Sequence, residues 1–153
     1  MKTVFQRLLF LPVLSIALMI QSGQLSAQVA ELTWNTLADV SFKDVYLEEY
    51  DLYYYYPTFG PKVLDMEGRM VKLSGYVIPV DYDDDYYVLS AFPFAACFFC
   101  GGAGPESVVD LQLKAGHRRF KTDERLTFKG VFRTNTTDIY QLNYILEDAE
   151  VFK

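Results

Sequence analysis

From Met70 onward apolar and polar positions alternate with a period of two, as in strands that bury one face. Met70 to Val80 sets Val71, Leu73 and Gly75 on one side. Asp81 to Asp85 is a polar hairpin tip, and Tyr86 to Phe92 returns as the next strand. Ser107 to Leu113 aligns Val109, Leu111 and Leu113; Arg125 to Arg133 alternates through Leu126, Phe128, Gly130 and Phe132; Ile139 to Phe152 completes the series. A helix from Pro105 to Lys114 competes with the Ser107 strand, since proline suits a first helical position. The apolar spacing fits period 2 better than 3.6. Met66-Glu67-Gly68-Arg69 reads as a turn.

Upstream the pattern changes. Trp34, Leu37 and Val40 stand at helical spacing and predict a short amphipathic segment within Glu31 to Val40. Val45 to Tyr56 mixes acids with aromatics and predicts one extended segment, because tyrosine favours strands; Pro57 and Gly60-Pro61 end it. Five or six closely spaced strands predict a mainly β fold: one small OB-like barrel, with a β-sandwich as the alternative. Closure leaves no exposed edges, which matters in a chain so rich in aromatics.

The N-terminus predicts export. Lys2 and Arg7 precede the apolar run Leu8 to Ile20, too short to span a bilayer as a helix, and Leu25-Ser26-Ala27 offers a small-residue cleavage site. Residues 1–27 therefore read as a signal peptide and 28–153 as a single domain, placed in the periplasm. Secretion, or tethering by an uncleaved signal, is the alternative. No membrane span is expected after cleavage. The whole chain carries a net charge of −6, and the leader holds two of its bases and no acid. Such a surface repels phosphates, which argues against nucleic acid and against anionic membrane surfaces.

The distinctive chemistry is Cys97-Phe98-Phe99-Cys100-Gly101-Gly102, which contains both cysteines of the chain. Two thiolates three apart, with glycine after the second, can face one ion across a tight turn; Gly101 and Gly102 shape that turn. This is half of a four-sulfur zinc site. Glu106 is a candidate third ligand, and two copies meeting across a two-fold axis would supply four sulfurs. The same pair could instead exchange disulfides or form an inert one. His117, the single histidine, lies in the polar Lys114 to Lys121 stretch and reads as a solvated loop residue. Asp81 to Asp85 lacks the glycine and distal glutamate of a helix–loop–helix calcium site. Tyr53 to Tyr56 reads as one pair packed inward and one half-exposed, with a stacking platform as the competing reading. Asn135-Thr136-Thr137 matches a glycosylation sequon, a common chance pattern. No acid–base or nucleophile constellation is visible, so an enzyme is not expected.

Val71 to Val80 resembles the "V-x-x-x-G-y-v-x-P-L" strand of a family of uncharacterised exported bacterial domains. Tyr87-Val88-Leu89-Ser90, Phe94-Ala95-Ala96-Cys97, Val108-Val109-Asp110-Leu111 and Phe128-Lys129-Gly130-Val131-Phe132 follow in the family's order. The similarity runs from about Trp34 to Val151. It implies an OB-like barrel and a metal held at a Cys-x-His turn. The family cysteine falls on Cys97 and its histidine on Phe99, so Cys100 becomes the substitute ligand; the Asn-Gln pair falls on Glu106-Ser107. The chain thus reads as a divergent, cysteine-paired branch. The expected function is an exported zinc-binding or metal-handling module, accessory to a membrane transport or assembly complex. The alternatives are a thiol-redox accessory protein and a non-catalytic interaction module.

Overall fold

The computed structural model describes residues 28–81 and 83–153, so the expected signal peptide lies outside the described residues. In chain order the elements are β1 (Ala30–Glu31), α1 (Trp34–Leu37), β2 (Val40–Leu47), β3 (Leu52–Phe59), α2 (Pro61–Leu64), β4 (Met70–Asp81), β5 (Tyr86–Ser90), β6 (Val108–Leu113), β7 (Glu124–Thr134) and β8 (Tyr144–Val151). Strands β4, β5, β6, β8 and β7 pair in that order, and β7 returns to β4 to close a five-stranded barrel. The β6–β8 contact is parallel and the others antiparallel. This is the expected OB-like barrel; the β4–β7 closure rules out a two-sheet sandwich.

Closure depends on places where the strands bend. At Gly75 in β4 an added Cβ would stand 2.6 Å from the Ser90 carbonyl oxygen and 3.0 Å from the Trp34 ring, so only glycine lets these segments approach. In β8 the register slips against both neighbours, and the extra residue lets the strand turn the barrel corner. Val71, Leu73, Leu89, Leu111, Phe128 and Leu146 fill the interior. Helix α1 starts where the Thr36 amide donates to Thr33 Oγ1 at 3.1 Å. Trp34 Nε1 donates to the Ser74 carbonyl at 2.8 Å, and the buried Tyr144 hydroxyl donates to the Leu37 carbonyl at 2.7 Å, fixing α1 to the barrel.

Two sequence expectations change. Val45 to Tyr56 is not one extended segment: it turns at Glu48–Asp51, with Asp51 at φ 53, and makes the two arms of a β2–β3 hairpin outside the barrel sheet. The last strand starts at Tyr144 rather than Ile139, because Asn135 organises a loop ahead of it. Asn135 Nδ2 donates to the Asp138 carbonyl at 2.7 Å, and its Oδ1 accepts from the Thr137 and Asp138 amides. The Ser107 to Leu113 strand is present as β6, and of the competing helix only one 3-10 turn, Pro105–Ser107, precedes it. Among the described residues no helix is long and apolar enough to cross a membrane.

Candidate functional site

The cysteine turn lies on the long connection between β5 and β6. Two successive 3-10 turns, Phe94–Ala96 and Phe98–Cys100, place Cys97 at their junction. The Cys97 carbonyl accepts from the amides of Cys100 and Gly102, at 3.2 Å each, which curls the turn. Gly101 takes φ 74, and a Cβ on Gly102 would stand 2.7 Å from the Ala96 carbonyl oxygen, so the backbone of this turn requires glycine at both positions. Both thiols are free; Cys97 is fully buried and Cys100 exposed.

The Cys100 thiol is pushed up from its ordinary range, by desolvation first and then by the neighbouring Cys97 charge and hydrogen bond. A redox nucleophile needs an accessible thiol pushed the other way. Here the accessible sulfur is the one shifted upward. Glu106 folds its carboxylate back over the Gly104 α-carbon. Among the described residues no three histidine, cysteine or carboxylate groups converge as a metal site. The structure thus brings Cys97 and Cys100 together, without assembling a single-chain site around them and Glu106.

What the turn does form is one wall of a groove. Phe98 and Pro105 line it together with Tyr53, Tyr54 and Tyr55 of β3 and with Ile139 and Leu142, around a space of about 260 Å³. The Tyr54 hydroxyl donates to Asn143 Oδ1 at 3.2 Å and holds the hairpin against the 135–143 loop. Burial, then Tyr56 and Asp138, raise the Tyr54 hydroxyl pKa. Tyr54 and Tyr56 are half-buried and reach no core position, while Tyr53 stays 74% exposed and Tyr55 51%. Tyr55 stacks on Phe42 at 4.8 Å and Tyr53 leans on Tyr46 at 5.2 Å, so the outer face of the hairpin is a continuous aromatic rib.

One polar residue departs from its sequence reading, and a second carried none. His117 is half-buried rather than solvated: its ring stacks on Phe120 at 5.9 Å and meets Tyr87 edge-on at 5.8 Å. Asp110, on the outer face of β6, is buried beneath the 135–143 loop at 6% exposure. It accepts from the Leu142 amide and the Tyr86 hydroxyl, and burial outweighs both to push its carboxyl up to about 6. The Tyr86 hydroxyl is pushed up in turn to about 12, by burial and then by the Asp110 charge. Neither residue stood out in the sequence; Asp110 amid the apolar Val108–Leu113 run was the available signal.

With this geometry in hand, comparison with solved structures places the fold. The chain resembles a DUF3299 family protein. That crystal structure, of a protein from Pseudomonas aeruginosa PAO1, matches with a TM-score of 0.50 at 13% identity, over 82% of this chain and 97% of that one. At such identity the likeness shows the fold alone. Neither a protein-family model nor a curated protein matches the chain.

Proposed function

We propose that this chain is an exported, non-catalytic docking module, with the barrel as scaffold and the groove between β3 and the cysteine turn as the binding surface for a partner protein. The observation that carries the reading is exposed aromatic surface at the groove: Tyr53 and Tyr55, which line it, and Phe99, whose ring meets the lining residue Phe98, all stand at least 44% exposed. Large apolar rings kept in water beside a preformed groove are what a protein interface uses as anchors. The polar chemistry nearby offers no activated nucleophile.

The experiment places a photo-crosslinking amino acid at Tyr53, at Phe99 and, as control, at Phe152, which is exposed and outside the groove. An adduct of one defined mass from Tyr53 and Phe99 but not from Phe152 is expected. Equal labelling at all three positions, or none, would remove the reading. Export rests on the Lys2, Arg7 and Leu8 to Ile20 pattern, and N-terminal sequencing of the mature protein should begin at Gln28. A mature chain that starts at Met1 would remove it.

A second reading, zinc shared between two copies, is favoured by one observation: the two free thiols sit within hydrogen-bonding reach of each other. Zinc in closed sites takes four ligands, and one chain offers two sulfurs. Reduced protein should dimerise on addition of zinc with about half an equivalent bound per chain. Cys100→Ser, at an exposed position, should abolish both effects. Absence of zinc binding between about pH 6 and 8, where thiolates become available, would end this reading.

A further inference from the structure

Tyr53, Tyr54 and Tyr55 are consecutive, and all three line the same groove. Successive side chains of a strand point to opposite faces, so three in a row line one space only when it runs along the strand's edge. One edge of β3 is taken by β2 through eight unbroken pairs, from Val40↔Phe59 to Leu47↔Leu52. Among the described residues no backbone hydrogen bond joins the other edge of Tyr53–Tyr55 to the rest of the protein. Alternate amides and carbonyls on that edge therefore have no backbone partner among the described residues. Edges are normally blunted by proline, lysine or a bulge. Here the only proline of β3, Pro57, lies beyond the groove.

The charge around the groove states what fits. No charged residue of either sign lines it, and acids stand around it. Asp138 lies close enough for its charge to act on Tyr54, and Asp44 pairs with Tyr55 across the hairpin. The tip beyond adds Glu48, Glu49 and Asp51. The single base of the hairpin, Lys43, is already over the Tyr56 ring at 6.0 Å. Aromatic faces among acids hold cations by ring attraction and by charge together.

We propose that the free edge of β3 accepts an extended, lysine- or arginine-bearing segment of a partner protein as an added strand. This rests on the docking reading above and names the occupant of that groove. Backbone pairing along Tyr53–Tyr55 supplies the binding, with alternate side chains of the incoming strand directed to the apolar residues Phe98, Pro105 and Leu142 and to the acids around the groove, Asp138 and Asp44.

The test uses the purified protein and three labelled octapeptides, with binding read by fluorescence anisotropy. The first is (Lys-Thr-Lys-Val)2, the second replaces every lysine with glutamate, and the third is the lysine peptide N-methylated at each threonine and valine so that one edge cannot donate. The lysine peptide should bind at least about tenfold more tightly than either of the others, a difference of about 1.4 kcal/mol. Amide exchange at Tyr53–Tyr55 should slow when it is bound. Equal binding of the N-methylated peptide would overturn strand addition, and equal binding of the glutamate peptide would overturn the basic occupant. If no peptide binds while the Tyr53 crosslink still forms its adduct, this proposal falls and the docking reading stands. If both fail, both fall.

Discussion

Gly130→Val is expected to cost about 3 kcal/mol or more, a large part of the 5–15 kcal/mol that holds a typical domain together. Lys129 pairs with Glu150 and Val131 with Glu147, so Gly130 alone faces two residues of β8, Asp148 and Ala149. Asp148 adopts φ 50 to absorb the extra residue. A Cβ on Gly130 would stand 2.6 Å from the Glu147 carbonyl oxygen and 2.8 Å from Leu146 Cγ. The first is backbone and cannot swing aside, so the bulge that turns the barrel corner must open. Urea unfolding is the measurement, with Gly116→Ala as the comparison. Gly116 has φ 83 and open space around it, so its substitution should cost only the left-handed penalty of about 1 kcal/mol. A Gly130→Val midpoint equal to that of Gly116→Ala would show that the corner is not built around this glycine.

Asp110→Asn should stabilise the protein at pH 7 by about 2–3 kcal/mol and change little at pH 4. The folded carboxyl sits at about 6 against an ordinary 3.8, so between those values the folded state holds more proton than the unfolded one. Stability contributed by this group is therefore full below about pH 4 and is lost as pH rises through 6. Asparagine keeps the size and can still accept from the Leu142 amide while carrying no charge to desolvate. Glu124 and Glu150 act in the opposite sense. Arg118 holds the first carboxyl down, Lys114 and Lys129 the second, so what they contribute is lost as pH falls. The wild-type profile should thus decline from both sides, and the variant should lose only the decline toward neutral pH. A variant that still declines between pH 4 and 7 would assign that loss to another group.

The barrel was legible because its strands are half-buried and alternate. Met70 to Val80 and Arg125 to Arg133 end within one residue of β4 and β7. The hairpin escaped because its turn, Glu48-Glu49-Tyr50-Asp51, contains no glycine, proline or asparagine; aspartate takes the left-handed position instead. Asp85, Asp123 and Asp148 do the same elsewhere. His117 looked solvated among charged neighbours because the rings that cover it, Phe120 and Tyr87, arrive by folding and not by sequence proximity to one another. The cysteine turn and its glycines were visible as a motif. The groove was not, since it exists only when Phe98, Pro105 and the 135–143 loop converge on β3.

The β4–β7 closure has a kinetic consequence. The β2–β3 hairpin pairs neighbours in the chain, starting at Leu47↔Leu52, and such local contacts form within microseconds. The barrel seam joins Met70 to Val131, and the parallel β6–β8 contact also waits for the C-terminal strand. Non-local pairings of this kind fold orders of magnitude more slowly. As the chain emerges from the ribosome, β4, β5 and β6 must therefore wait with their apolar faces uncovered until β7 and β8 arrive. During that interval the chain is most exposed to aggregation, and what delays it is the order of its strands rather than the stability of the finished barrel.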